Sequence, residues 1–175
     1  MSTSLYQASV GTYLQMLPSL AALIGKAEEY CHANSFVPEA LTNARLADDM
    51  WPFAKQIFEC GHHSARAIES LFAGAFHPEL APAPTEFAAL HREIADSIAY
   101  LETIKPGEIE SMASYDMRFE FGHMGLDFTV EDFLLTFSLP NFYFHATTAY
   151  AILRNQGLPL GKPDYLGKPR LKARI

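Results

Sequence analysis

Histidine is the residue type in this sequence most able to carry chemistry, and the chain has seven of them. Neutral imidazole ligates zinc and nickel, and it also titrates near neutral pH. His145 falls on the apolar face of a segment with helical spacing, and Asn141 precedes it by one helical turn. His63 lies on the flank of another such segment, from which it can point into the bundle. We therefore expect His63, Asn141 and His145 to meet in one polar ligand pocket, with Gln56 beside His63.

Two interpretations of this pocket remain open. In the first, His63 and His145 hold one divalent metal, zinc or nickel, as happens in the cores of helical proteins. In the second, the polar side chains satisfy one another, fix the register of the helices and bind nothing. A metal-binding pair one turn apart would read HxxxH, but Asn141, a poor ligand for these metals, holds the first position. The sequence therefore favours a pocket without a metal.

The other chemistry-bearing residues give weaker signals. His62 is predicted to be solvated on the outer face of its helix, and His91 lies beside an apolar seam. Three histidines are predicted to lie at the surface: His32, His77 and His123. The two cysteines, Cys31 and Cys60, are too few for a disulfide scaffold. They also show no CxxC or zinc-finger spacing. No phosphate-binding glycine loop or GxSxG elbow occurs, so nucleotide-binding and classical hydrolase functions have no support.

Four segments have the apolar spacing of helices and must position these side chains. They cover about residues 4–33, 49–74, 85–105 and 130–156. Pro18 is expected to kink or split the first of them, and Pro140 to bend the last. Residues 115–130 alternate apolar and polar side chains around a glycine-containing turn, which predicts a β-hairpin. The predicted fold class is all-α, a four-helix bundle with a small hairpin inserted before the last helix.

Length and composition fit one domain, with 175 residues of which 49% are hydrophobic and 19% charged. We expect the bundle to occupy residues 1–157, and residues 158–175 to form an extended basic tail that packs on the bundle or on a dimer mate. The formal charge of -7 argues against a nucleic-acid partner. No secretory leader and no long apolar span are evident, so we expect a cytoplasmic protein without a membrane segment.

Three strings in the chain are similar to an uncharacterised bacterial family of unknown function within the DinB/YfiT-like superfamily. They are SLYQASV, DDMWPFAKQ and LPNFYFHATTAYAILRNQGLPLGKPDYLG. The resemblance covers residues 5–167. It implies a DinB-like four-helix bundle, often a homodimer, with a central pocket open at one end.

Members of the wider superfamily bind a divalent metal through three histidines, one on the second helix and an HxxxH pair on the last. Some of them transfer low-molecular-weight thiols or isomerise thiol adducts. The resemblance places His63 at the first ligand position and His145 at the second position of the pair, with Asn141 where the remaining histidine belongs. It implies a metal-dependent thiol transferase or hydrolase. A metal-free protein that binds a small molecule, or a structural homodimer without catalysis, is the alternative.

Overall fold

The computed structural model describes residues 4–171, which are mostly helical and carry a small sheet. The N-terminal part consists of α1 (Leu5–Ala8) and α2 (Val10–Asn34), followed by the short α3 (Pro38–Thr42). Pro18 lies inside α2 without splitting it. The apolar side chains that recur at helical spacing in this segment form the buried face of α2.

The stretch Leu5–Asn34 is long and apolar enough to cross a membrane by length and composition alone. The expectation that no such stretch exists is therefore too strict, because the helix continues past Pro18. Half of its 18-residue apolar window is buried inside the structure. One such helix is weak evidence for a membrane span, because the core helix of a globular domain passes the same test, and the cytoplasmic location stays a prediction.

The second long helix changes its helical type at the predicted pocket. It consists of α4 (Phe53–Gly61), a π-helical segment at His62–Arg66 and α5 (Ala67–Leu71). A π turn breaks the α-helical spacing from which faces were assigned in the sequence. His62, predicted to be solvated, is half-buried, and its Nε2 lies 2.9 Å from the carbonyl oxygen of His77.

A three-stranded sheet flanks the helices, and the fold is mostly helical. The strand β1 (Ala75–Phe76) precedes α6 (Phe87–Thr103) and α7 (Pro106–Met112). The predicted hairpin is confirmed as β2 (Asp116–Phe121) and β3 (Met124–Thr129), which pair antiparallel. Strand β1 adds to β2 in parallel and gives the order β1-β2-β3. Strand β1 was not predicted from the sequence, because a strand of two residues is too short to leave a periodic pattern.

The last long helix begins directly after the hairpin. It consists of α8 (Val130–Asp132), a second π-helical segment at Phe133–Ser138 and α9 (Leu139–Asn155). Thr129 caps its start by accepting a hydrogen bond from a backbone N–H at 3.1 Å. Pro140 lies inside this long helix, as the second residue of α9. The bend expected at this proline is accompanied by the π-helical segment that directly precedes it.

The long helices share one apolar core. Helix α2 packs on α6, and α4 packs on both α6 and α9. Large side chains from these helices are fully buried between them, among them Tyr13, Phe53, Phe133 and Phe142. Burial of each apolar side chain of this size contributes about 1.5–3 kcal/mol. The packing sets the inner faces of α4 and α9 against each other, and these faces carry the polar residues described below.

The C-terminal region packs on the helices of its own chain. Helix α10 (Lys162–Leu166) contacts α2 and α9, and Asp164 forms an ion pair with Lys26. The extended conformation predicted for residues 158–175 is therefore wrong for α10. A proline in its first turn and the Asp164 carboxylate, which accepts a backbone N–H at the helix start, favour the helix. Residues 172–175 of the predicted tail lie outside the described residues.

Candidate metal centre

His63 and His145, which the sequence predicts to meet, stack on each other. His63 lies in the π-helical segment after α4, and His145 lies in α9. Their ring centroids are 5.6 Å apart and their planes differ by 17°. Trp51 also stacks on His145, with centroids 5.7 Å apart and planes within 15°. Both histidines are buried, so their imidazoles have little access to bulk water.

Glu59 completes a cluster with the two histidines. It precedes His63 by one helical turn, and its Oε2 lies 3.8 Å from Nε2 of His63. One candidate ligand atom from each of Glu59, His63 and His145 lies within 4.8 Å of the other two. All three side chains are buried. Two imidazoles and one carboxylate form a donor set that zinc sites use, with a fourth position left for water or substrate.

Asn141 lines the same cleft but makes a different contact. Its Nδ2 donates a hydrogen bond to the carbonyl oxygen of Phe137 at 2.8 Å, within its own helical stretch. Among the described residues, the third side chain that can ligate a metal beside the histidines is therefore Glu59. Glu59 was not predicted from the sequence. The signal that could have found it is its ExxxH spacing to His63, which places both on one helical face.

Gln56 determines which nitrogen of His145 carries the proton. The Gln56 Nε2 donates to the backbone carbonyl of Trp51 at 3.0 Å, which fixes the orientation of the amide. The Gln56 Oε1 then lies 2.7 Å from Nδ1 of His145. Because an amide oxygen only accepts, Nδ1 of His145 must donate. In the neutral ring this leaves Nε2 with a free lone pair, as in metal sites where an outer residue orients the ligand.

Burial keeps both imidazoles uncharged. The pKa of His145 is lowered to about 4, mainly by desolvation and next by the charge of Lys55. Desolvation also lowers the pKa of His63 to about 2, with His145 as the next cause. Metals bind the neutral form of imidazole. The cluster therefore offers two uncharged nitrogen donors at neutral pH.

Lys55 balances the charge of Glu59. Its Nζ lies 2.8 Å from Oε1 of Glu59, and both side chains are almost completely buried. The same Nζ donates to the carbonyl oxygens of Glu79 and Ala81 at 2.8 and 3.2 Å. Buried charges need such partners, since an unpaired one would cost several kcal/mol (about 3–5). Lys55 thus ties the cluster to the proline-rich connector, residues 77–85.

One buried polar atom of the cluster has neither a hydrogen-bond partner nor an ion-pair partner within residues 4–171, and it is Nδ1 of His63. Oε1 of Glu59 has the Lys55 ammonium as its ion-pair partner. A buried polar atom without a partner costs about 1–3 kcal/mol. An unpaired imidazole nitrogen beside a carboxylate and a second neutral imidazole fits a divalent metal.

Ser138 joins the two π-helical segments beneath the cluster. Its Oγ donates to the carbonyl oxygen of His63 at 2.7 Å. The Tyr13 hydroxyl lies 2.8 Å from the same Oγ and must therefore be the donor in that contact. Ser138 and Tyr13 are fully buried. These hydrogen bonds fix the backbone of His63 against the last helix. Both ends of the contact lie in π-helical segments, which recur at functional sites.

The cluster lines a cleft of about 250 Å³. Its walls are largely aromatic and include Trp51, Phe76, Phe119, Phe137 and Phe144. Connector residues from Pro78 to Leu80 close one side of it. Phe144 and Trp51 are 57% and 48% exposed, and they form an apolar rim at the opening.

In the metal-free protein at pH 7 we expect His145 to be neutral and protonated on Nδ1. Long-range proton–nitrogen NMR spectra of the imidazoles distinguish the two tautomers. Replacing Gln56 with leucine removes the acceptor of the Nδ1 proton and should give a mixture of tautomers. A wild-type His145 protonated on Nε2 would show that the Gln56 contact does not set the tautomer.

The helical core, the added sheet and the buried histidine pair define a protein of the DinB-like class. The structure is similar to the crystal structure of a DinB family member protein from Shewanella denitrificans, with a TM-score of 0.83 and 30% sequence identity. The similarity covers 97% of this chain and 96% of that chain. The family model described as a domain of unknown function, DUF1993, matches residues 5–166, and the chain belongs to this family. No curated protein matches the chain. The family resemblance expected from the sequence is thus confirmed.

Proposed function

We propose that Glu59, His63 and His145 bind one divalent metal ion, zinc or nickel, and that the protein is a metal-dependent transferase or hydrolase acting on thiols. The observation that carries the proposal is the set of three buried donor atoms within 4.8 Å of one another. The two neutral imidazoles and the unpaired Nδ1 of His63 support it.

We further propose that the four long helical stretches form a DinB-type four-helix bundle, with this centre between the second and the last. The contacts of α2 with α6 and of α4 with α9 support this arrangement. Similarity to a DinB family member over nearly the whole chain supports it as well.

The chain's own residues would prepare the chemistry. Gln56 holds the His145 ring with Nε2 free, and Lys55 forms an ion pair with the Glu59 carboxylate inside the protein. The aromatic walls limit access of water, which strengthens electrostatic interactions within the cleft. When bound, the metal would supply an electrophilic centre that lowers the pKa of a coordinated water or thiol.

Metal titration of the protein without a histidine tag tests the proposal. We expect one zinc or nickel ion per chain by calorimetry and elemental analysis. The double variant His63→Ala/His145→Ala should keep its helical circular dichroism and bind none. Wild-type protein that takes up no stoichiometric metal would refute the proposed centre, and so would equal uptake by the double variant. Transfer of glutathione to chlorodinitrobenzene, in which the thiolate displaces chloride, should require the metal.

One observation favours a second candidate function, the metal-free binding of a small molecule. Lys55 already places a cationic nitrogen 2.8 Å from Oε1 of Glu59. In this alternative the lysine supplies the positive charge that a metal would otherwise supply. The same titration separates the two functions, because only the metal-dependent one requires stoichiometric uptake.

A further inference from the structure

The cleft over the candidate metal centre lies beside a larger cavity of about 460 Å³, here called the connector cavity. The two share three lining residues, Trp51, Glu79 and Leu80. Small-molecule pockets usually measure about 300–1,000 Å³, which the cleft of about 250 Å³ does not reach and the connector cavity does. A ligand whose head lies at the cluster therefore has room for its body in the connector cavity.

The walls of the connector cavity are small and mostly apolar. They come from the start of α4 and from the connector: Pro52, Ala54, Leu80, Ala81, Pro82 and Ala83. Leu80 is 72% exposed, although it stands at the junction of the two cavities. An apolar ligand body would cover this leucine and the exposed part of Trp51, and removing apolar surface from water is favourable.

The charged side chains among the described lining residues are Lys55 and Glu79. An ammonium group has three N–H donors, and the Lys55 Nζ has three oxygen neighbours, on Glu59, Glu79 and Ala81. The Glu79 side chain is exposed, and only its Oε1 accepts a backbone N–H, that of Ala81 at 2.8 Å, so the charge that stays free at this cavity is negative. An anionic ligand body would thus lose its hydration without gaining a free cationic partner.

We infer that the connector cavity binds the uncharged, apolar body of the ligand. The substrate class is then an amphiphile, a thiol or similar metal-coordinating head joined to an alkyl or aryl body. The assignment of the head rests on the proposed function, whereas the assignment of the body rests on the connector cavity alone.

The fluorescence of Trp51 tests this inference, because it is the single tryptophan of the chain and lies where the two cavities meet. The metal-free protein is titrated with 1-hexanol, 1-octanol and octanoate. We expect saturable binding of the alcohols, with affinity rising about fourfold per added methylene. Octanoate should bind at least about tenfold more weakly than octanol, because its charge finds no free cationic partner. Absence of saturable octanol binding, or equal binding of octanoate, would overturn the inference.

A pair of leucine variants supplies the control. Leu80→Asp places a carboxylate at the junction on an exposed position and should weaken octanol binding at least about tenfold. Leu171→Asp, at a position that is 83% exposed and lines neither cavity, should leave it unchanged. Equal binding by both variants would refute the connector cavity as the site.

The outcomes separate this inference from the proposed function. Octanol binding without metal uptake supports the connector cavity and refutes the metal centre. Metal uptake without octanol binding does the reverse.

Discussion

Replacing Glu59 with glutamine should weaken zinc binding by about 100-fold or more, since even an outer partner of a metal ligand contributes about 10–100-fold. Glutamine keeps the size of the side chain but removes the anionic donor within 4.8 Å of the two histidines. The partners of Lys55 on Glu79 and Ala81 remain, so the variant should fold. Calorimetry in competition with a chelator measures the loss.

Asn141→Ala is the matched control for the third ligand. Because Asn141 donates to Phe137 within its own helix, its removal should change zinc affinity less than about threefold, well below the loss of a ligand. Loss of affinity in Asn141→Ala together with normal affinity in Glu59→Gln would place the third donor at Asn141. The cluster assigned here would then be wrong.

Ser138→Ala should lower the free energy of unfolding by about 2–3 kcal/mol. The change removes the donor to the His63 carbonyl and leaves the buried Tyr13 hydroxyl without its acceptor. Tyr13→Phe should cost less, about 0.5–1.5 kcal/mol, because Ser138 keeps its donation to His63. Urea denaturation followed by circular dichroism measures both values.

The double variant Tyr13→Phe/Ser138→Ala should be less destabilised than the sum of the two single variants. With both hydroxyls absent, no buried hydroxyl is left unpaired at this contact. Additive losses would show that the two side chains do not interact energetically. Ser111→Ala, on the exposed surface of α7, should change stability by less than about 0.5 kcal/mol and serves as the control.

The long helices and the hairpin could be predicted because their apolar residues recur with regular periods. The two π-helical segments could not, since they interrupt the period on which the faces were assigned. His62 shows the consequence, because α-helical spacing put it in solvent and the structure half-buries it. Strand β1 depends on pairing with a hairpin some 40 residues away in the chain, which no local pattern reports.

Part of the candidate site could also be predicted from helical spacing. His63 and His145 were identified because each is a polar residue on an apolar helical face. Glu59 was overlooked because its burial depends on Lys55. Lys55 in turn is buried only because the connector folds over it and supplies two carbonyl acceptors. The ExxxH spacing puts Glu59 on the same helical face as His63, but such long-range partners leave no sequence signature that would show Glu59 to be buried.

Anomalous X-ray diffraction from crystals grown with zinc tests the metal centre most directly. We expect one strong peak at about 2.0–2.2 Å from a nitrogen of His63, a nitrogen of His145 and a carboxylate oxygen of Glu59. A peak coordinated by Asn141 in place of Glu59, or zinc bound only at other sites with this cluster bare, would contradict the proposed centre.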